Sequence, residues 1–329
     1  MAHELLIKNG KAAMMYFGET PWHGLGEKLD KPATSAEAIK AAQLDWEVSK
    51  TPLYLKGGAR YRAVKGNFAV VRTDEREPIP LGIVGASYRP LQNREAFVWF
   101  DEIVGQGAAI YHTAGVLGNG ERVWILAKLP GEIRVKGDDV SEKFLLLSNS
   151  HDGESSVQLK FTPIRVVCQN TLTMALNSGR TVKISHNSSL KKRMEKAKEN
   201  LGIITNRFQE IEKEFQRLAE IQMIGNRLAG YLAEVFPMPA DETDELAIKR
   251  VELARRDSQM FFETGRGNNV ANIRGTLWAA YNGIAEFIDY GRTRRNRSQR
   301  LENIWFGGGY LTKARAFRVA IAKAGEWNN

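Results

Sequence analysis

Leu190, Met194, Ala197, Leu201, Ile204, Phe208, Ile211, Phe215 and Leu218 follow one another at alternating spacings of four and three residues. That register lays all of them along one narrow stripe of an α-helix. Sustained over about four heptads, it predicts a single long helix of roughly 45 Å at about 1.5 Å rise per residue. A stripe this apolar cannot stand in water, so the helix needs a partner. Gly202 and Phe208 suit a simple dimeric zipper poorly, and both intramolecular packing and an oligomer-forming coil stay open.

Residues 61 to 161 carry the opposite period. Apolar runs there alternate with polar residues and are divided by pairs of Gly with Asn or Asp, whose positive φ angles suit tight hairpin turns. Three hairpins are expected: 61–64 with 68–72 around Gly66-Asn67, 110–117 with 122–129 around Asn119-Gly120, and 144–147 with 156–161 around Asp152-Gly153. In the third, Val157, Leu159 and Phe161 alternate with Gln158, Lys160 and Thr162. One face therefore meets a core, and the other meets solvent or a ligand. A helix opening near Asn93, with Phe97, Phe100 and Val104 on one side, interrupts the strands. Ahead of them, Pro21-Trp22-His23-Gly24-Leu25-Gly26 reads as an ordered loop with its Trp inward, and Ser35 opens a helix through Ile39 and Leu44.

After Pro163 the pattern turns helical: 164–177 reads as a helix stopped at Ser178-Gly179, and 181–184 as a short strand before the long helix. Pro237 and Pro239 interrupt; helices over 246–262 and 270–290 follow, and a last helix closes the chain to Ala324. Val270, Ile273, Leu277, Tyr281, Ile284 and Ile288 form a stripe that makes the 270–290 helix the expected partner of the long one. The fold class is α+β: an antiparallel β-sheet core with hairpins over 1–186, then a helical half over 187–329 containing one long heptad-patterned helix and an arginine-rich loop. Whether the two share one core is left open.

Charge narrows the partners. Lys plus Arg number 47 against 38 for Asp plus Glu, a formal net charge of +9, which favours polyanions such as nucleic acid or an acidic membrane surface. Cys168 is the single cysteine, which excludes an internal disulfide framework and a thiolate zinc cluster and fits a reducing compartment. The expected location is the cytoplasm of a bacterial host. No stretch approaches about 18 apolar residues, and residues 1–11 lack a leader's pattern, so neither a membrane span nor export is expected.

Two basic clusters stand out. Lys183, Lys191, Lys192, Arg193, Lys196 and Lys198 gather at the start of the long helix, where unpaired N–H groups already attract anions. Glu195 and Glu199 interleave there, so a solvated helix face is an equal reading. Arg292, Arg294, Arg295, Arg297 and Arg300 follow one another with no acid among them, and arginine forks match phosphate oxygens and stack on bases. An inter-subunit salt-bridge strap and a plain solvated surface are the alternatives for that run. Lys160 and Arg165 complete the candidate nucleic-acid contacts. Gripping a single strand also takes aromatic platforms; Tyr61, Phe68, Tyr88, Tyr111 and Trp124 lie on or near the predicted sheet, each expected in the core before the surface.

Several stretches resemble a family of phage/plasmid-like proteins built on domain of unknown function 932. They are Thr162-Pro163-Ile164-Arg165-Val166-Val167-Cys168-Gln169-Asn170-Thr171-Leu172, Ile184-Ser185-His186-Asn187, Gly275-Thr276-Leu277-Trp278 with Glu286-Phe287-Ile288-Asp289, and Trp305-Phe306-Gly307. The likeness runs from about Trp22 to Lys323. It implies a mobile-element origin and a place among DNA-handling genes. A looser analogy leads to phage single-strand annealing proteins, which set a hairpin sheet against helices and assemble as rings.

Candidate covalent chemistry is sparse. His151-Asp152 with His186 form a possible metal pair for phosphodiester hydrolysis, although Asp152 also suits the hairpin turn. Cys168, beside Val166 and Val167, reads as a buried small hydrophobe rather than a nucleophile. Gly24-Leu25-Gly26 and Gly307-Gly308-Gly309 lack the spacing and Lys of a phosphate loop. The expectation is a sequence-nonspecific nucleic-acid-binding protein, taking single-stranded DNA in recombination or replication, homo-oligomeric, away from membranes, with no cofactor, metal or catalytic residue. The alternatives are an oligomeric assembly protein with basic inter-subunit straps and a metal-dependent nuclease.

Overall fold

The computed structural model describes residues 5–18, 24–105, 110–165, 170–171, 181–201, 204–291 and 300–327. Strands β1 (Ile7–Lys8), β2 (Lys11–Ala12), β3 (Met14–Phe17) and β4 (Glu27–Leu29) precede helix α1 (Ser35–Ala41). Then come β5 (Val48–Gly57), β6 (Arg60–Arg72), β7 (Ile79–Gly85) and α2 (Asn93–Val104). Next are β8 (Ile110–Leu117), β9 (Arg122–Lys136), β10 (Asp139–Ser150), β11 (Val157–Phe161), β12 (Ile164–Arg165), β13 (Asn170–Thr171) and β14 (Thr181–Ile184). The helices α3 (Leu190–Leu201), α4 (Ile204–Glu220), α5 (Arg227–Val235), α6 (Glu245–Thr264), α7 (Leu277–Glu286), α8 (Arg300–Trp305) and α9 (Gly308–Trp327) follow. The class is α+β.

Two compact units alternate along the chain. The first comprises Met1–Pro130, Phe144–Lys160 and Thr181–Gly202; the second comprises Gly131–Lys143, Phe161–Arg180 and Ile203–Asn329.

In the first unit the strands run β14-β11-β10-β9-β8-β3-β4, and β5-β6-β7 form a separate sheet. The β8–β9 and β10–β11 hairpins turn where expected. At the latter, Asp152 accepts from the Glu154 N–H at 2.8 Å and from the Ser150 hydroxyl, and Gly153 takes φ +84°. The expected hairpin around Gly66-Asn67 is corrected: β6 runs unbroken from Arg60 to Arg72, with Gly66 at φ +79°. Pro52 pairs Phe68 whereas Tyr54 pairs Ala63, so Gly66 marks a bulge, and the turn falls at Gly58-Ala59, with φ +58° at Gly58. Glycine supplies positive φ to bulges and turns alike, which is why the pair misled. Helix α2 buries Phe97, Trp99 and Phe100 and leaves Val104 half-buried. The Trp99 indole N–H donates to the Met194 carbonyl at 3.0 Å, seating the buried face of α3, which carries Leu190, Met194 and Ala197.

In the second unit every residue of α7 is buried, the mark of a helix enclosed on all sides. It opens later than the expected residue 270. Gly275 takes φ +75° and the Thr276 hydroxyl caps the Ala279 N–H at 3.2 Å, so Val270 and Ile273 lie ahead of the first turn. Phe215 of α4 meets Trp278 at 4.3 Å between ring centroids, and Phe317 of α9 meets Tyr281 at 5.3 Å. Helix α7 is thus the partner expected for the heptad stripe, of which Phe208, Ile211, Phe215 and Leu218 are buried here. The run as a whole is carried by two helices, α3 and α4; residues 202 and 203 between them lie outside the described residues. The tip between β9 and β10 docks on α4, where Glu212 accepts from the Arg134 N–H and Gln216 donates to its carbonyl, both at 2.9 Å.

The helix expected over 164–177 is corrected where it is described. Ile164 and Arg165 form β12, antiparallel to β13 through Ile164 with Thr171 and Arg165 with Asn170, and to β10 through Arg165 with Ser141. β-Branched Ile164 and Thr171 favour the pleat over the helix. Trp22, Cys168 and the Ser178-Gly179 stop lie outside the described residues. Among the described residues no helix is long and apolar enough to cross a membrane.

Candidate functional site

The β11–β14 pair sets Gln158 opposite Lys183 and Lys160 opposite Thr181. Because side chains alternate across a strand, Gln158, Lys160 and Lys183 share one face, while Val157, Leu159 and Ile184 fill the core on the other. Lys160 is buried nonetheless, and burial pulls its pKa from 10.5 down to about 7, with the like charges of Arg122 and Lys183 adding to the shift. Arg122 was not among the residues expected from sequence; its place on β9 carried no signal until the strand order was known. Lys160 and Arg122 each have further partners in the fold, and Lys183 is exposed.

Helix α3 follows in the same unit. Its buried side faces inward, and Lys191, Lys192, Arg193 and Lys196 are exposed. Lys191 pairs with Glu95 at 3.4 Å, an exposed pair worth little. Among the described residues Lys192 and Arg193 face no carboxylate within ion-pair reach. Side chains of Lys198 and Arg165 are not described, nor is that of Arg300, which opens α8; Arg292, Arg294, Arg295 and Arg297 lie outside the described residues. The two basic clusters of the sequence are therefore placed only in part.

Of the candidate platforms, Tyr88, Tyr111 and Trp124 are buried and Phe68 is half-buried, as expected of core residues. Tyr61 departs from that expectation at 69% exposed, and Tyr54, which sequence reasoning missed, is 55% exposed. Both sit near the tip of the β5–β6 ribbon, where 54–63 is exposed throughout.

The nuclease alternative drew on His151, Asp152 and His186. All three belong to the first unit and feel one another's charge, but the hydrogen bonds each makes go to other groups. His151 Nε2 donates to Asn93 Oδ1 at 3.0 Å and its ring meets Trp46 edge-on at 5.5 Å. The His186 ring stacks on Tyr88 at 4.8 Å, with Nδ1 at 3.2 Å from the Arg89 carbonyl. Burial lowers the pKa of both, that of His151 to about 3. Asp152 holds its turn. Among the described residues no group of three or more His, Cys, Asp or Glu is arranged to hold a metal. Two open grooves of about 630 and 540 Å³ also lie on this unit. The second is lined by Glu47, Glu95, Glu102 and Glu195 against Arg94 and Lys191, an acidic balance that makes a poor seat for a polyanion.

Fold and side chains together define an α+β protein whose first unit exposes Lys183 on β14, Lys56, Arg60, Arg62 and Lys65 on β5 and β6, and Lys192 and Arg193 on α3. Residues 80–305 match the model of the family described as Domain of unknown function (DUF932), and the chain belongs to that family. No curated protein and no solved structure matches it.

Proposed function

We propose that this protein binds nucleic acid without sequence selectivity, holding phosphates with basic side chains and doing no covalent chemistry. The observation that carries the reading is the β11–β14 register, which puts Lys183 and Lys160 on one face of the strand pair, with Arg122 of β9 within electrostatic reach of Lys160. Lys192 and Arg193, exposed on α3, extend the cationic surface, and phosphate neutralisation of this kind supplies most non-specific affinity. Exposed Tyr61 favours a single strand over a duplex, because only unstacked bases offer their faces. The likeness to phage/plasmid-like proteins supplies the setting: DNA handling in recombination or replication of a mobile element, in the cytoplasm of its bacterial host.

The test is anisotropy of a labelled thymidine oligonucleotide across a salt series, with a Lys183→Ala, Lys192→Ala, Arg193→Ala variant alongside. Log affinity falls linearly with log salt, and the variant's slope is shallower by about 2, from roughly 0.7 per single-strand phosphate contact. No binding at low salt, or an unchanged slope, sinks the reading.

One observation favours a second reading, assembly with copies of itself. Leu246, Leu253 and Met260 are 69%, 37% and 48% exposed on α6, and seven-residue spacing aligns them on one side of the helix. Light scattering of a Leu246→Glu, Leu253→Glu variant decides it: the variant runs at lower mass than an oligomeric wild type, and equal masses remove the reading.

A further inference from the structure

We infer that the β5–β6 ribbon is an arm that grips single-stranded nucleic acid, stacking a base on Tyr54 and Tyr61 while its lysines and arginines hold the phosphates. The inference rests on the nucleic-acid reading above and adds a surface ahead of the family match, which begins at residue 80.

Between Glu47 and Asp74 the chain has no carboxylate, yet it carries Lys50, Lys56, Arg60, Arg62, Lys65 and Arg72. Two of these serve the fold. Arg72 is 2% exposed and binds Asp74 at 2.6 Å. Lys50 donates to the Ala86 and Tyr88 carbonyls at 2.7 and 3.1 Å and lies over the Phe68 ring, pinning the ribbon's base. The remaining four, Lys56, Arg60, Arg62 and Lys65, are exposed, and among the described residues none pairs with an acid. A positive potential left uncancelled on a projecting two-stranded tip suits a polyanion.

Register divides the tip into two faces. Tyr54 is opposite Ala63 and Lys56 opposite Tyr61, so both tyrosines share a face with Lys56; Leu55 with Arg62, and Gly57 with Arg60, take the other. Tyr54 and Tyr61 are diagonal neighbours across the pair, about 7–8 Å apart. That spacing of strand positions leaves both exposed rings within reach of one stacked base. Neither face covers a core, so burying these rings is left to something outside the unit. An acidic membrane would also attract the cations, but an inserting tip needs apolar residues at its end. Here the end is Gly57-Gly58-Ala59-Arg60, which favours nucleic acid.

The test compares four proteins on a labelled thymidine oligonucleotide: wild type, Tyr54→Ala/Tyr61→Ala, Tyr54→Phe/Tyr61→Phe, and Lys56→Ala/Arg60→Ala/Arg62→Ala, each checked for an unchanged melting temperature. The alanine pair binds at least tenfold more weakly with an unchanged salt slope, the phenylalanine pair binds like wild type, and the charge variant has a shallower slope. Affinity of the alanine pair within twofold of wild type overturns the inference while leaving the nucleic-acid reading standing. Equal wild-type affinity for an abasic oligonucleotide of the same length does so too, as does tighter binding to phosphatidylserine vesicles that the two tyrosine changes abolish. Failure of wild type to bind any oligonucleotide overturns both.

Discussion

His151 is placed where its ring cannot accept a charge. It is 0% exposed, Nε2 donates to Asn93, and among the described residues Nδ1 has no hydrogen-bond partner. Burial, with a smaller contribution from His186, therefore holds its pKa at about 3 rather than 6.5. A depressed folded-state value means that the neutral ring's contribution is fully present above pH 6.5 and is lost as pH falls toward 3, because the unfolded chain takes up a proton the folded one refuses. Between pH 7 and about pH 4.5 the loss comes to about 2.5 kcal/mol at roughly 1.4 kcal/mol per pH unit. That is a large fraction of a typical stability of about 5–15 kcal/mol. His151→Gln keeps a donor for Asn93 and removes the titration. Urea unfolding of both proteins at the two pH values isolates the residue, since carboxylate contributions cancel in the difference. Wild type loses about 2.5 kcal/mol more than the variant. Equal losses in the two proteins refute the assignment.

Three further outcomes are expected. Lys313 and Asp289 form an ion pair at 2.7 Å with 0% and 3% exposure; Lys313→Met takes the ammonium from a buried carboxylate and costs about 3–5 kcal/mol in urea unfolding, and a loss under about 1 kcal/mol contradicts the pair's role. A Cβ at Gly82 would lie 2.2 Å from the Asp152 carbonyl oxygen, whereas one at Gly85 meets open space. Gly82→Ala accordingly lowers stability by about 1–3 kcal/mol and Gly85→Ala by under about 0.5 kcal/mol, and equal melting temperatures contradict the packing. Finally, Lys160 titrates at about 7 in the free protein, and a bound phosphate favours its charged form. Oligonucleotide affinity therefore rises as pH is lowered from about 9 to about 7, by at most about tenfold per unit, and Lys160→Met flattens the profile; parallel profiles refute the role.

Local signals with one physical meaning were legible in the sequence. Asn119-Gly120 and Asp152-Gly153 lie between strand-like apolar runs, and both became hairpin turns. The heptad stripe found its partner because its Phe215 and Leu218 and the facing helix's Leu277, Tyr281 and Ile284 lie on stripes that only packing could bury. Misreadings came from signals with two meanings. Gly66 serves a bulge as well as a turn. The run after Pro163 is apolar in either conformation, and the strand at Ile164-Arg165 is fixed by pairing with Ser141, which is distant in sequence. Gly275-Thr276 is a stop and a cap whose reading required accepting that Ile273 could be buried outside a helix.

Positive charge was the least legible property, because a count does not say which cations the fold has already used. Arg72 is consumed by Asp74 and Glu75, Lys313 by Asp289, and Lys50 by backbone carbonyls. Lys160, a candidate contact from its place on the alternating strand, is buried, and burial leaves it only partly charged near neutral pH. The cations left exposed include those on the ribbon, which has no core periodicity to draw attention to it and whose clearest mark is the absence of acid between Glu47 and Asp74. A ribbon that carries no acid and exposes two tyrosines has both features the proposed single-stranded ligand would use, cations for its phosphates and flat rings for its bases.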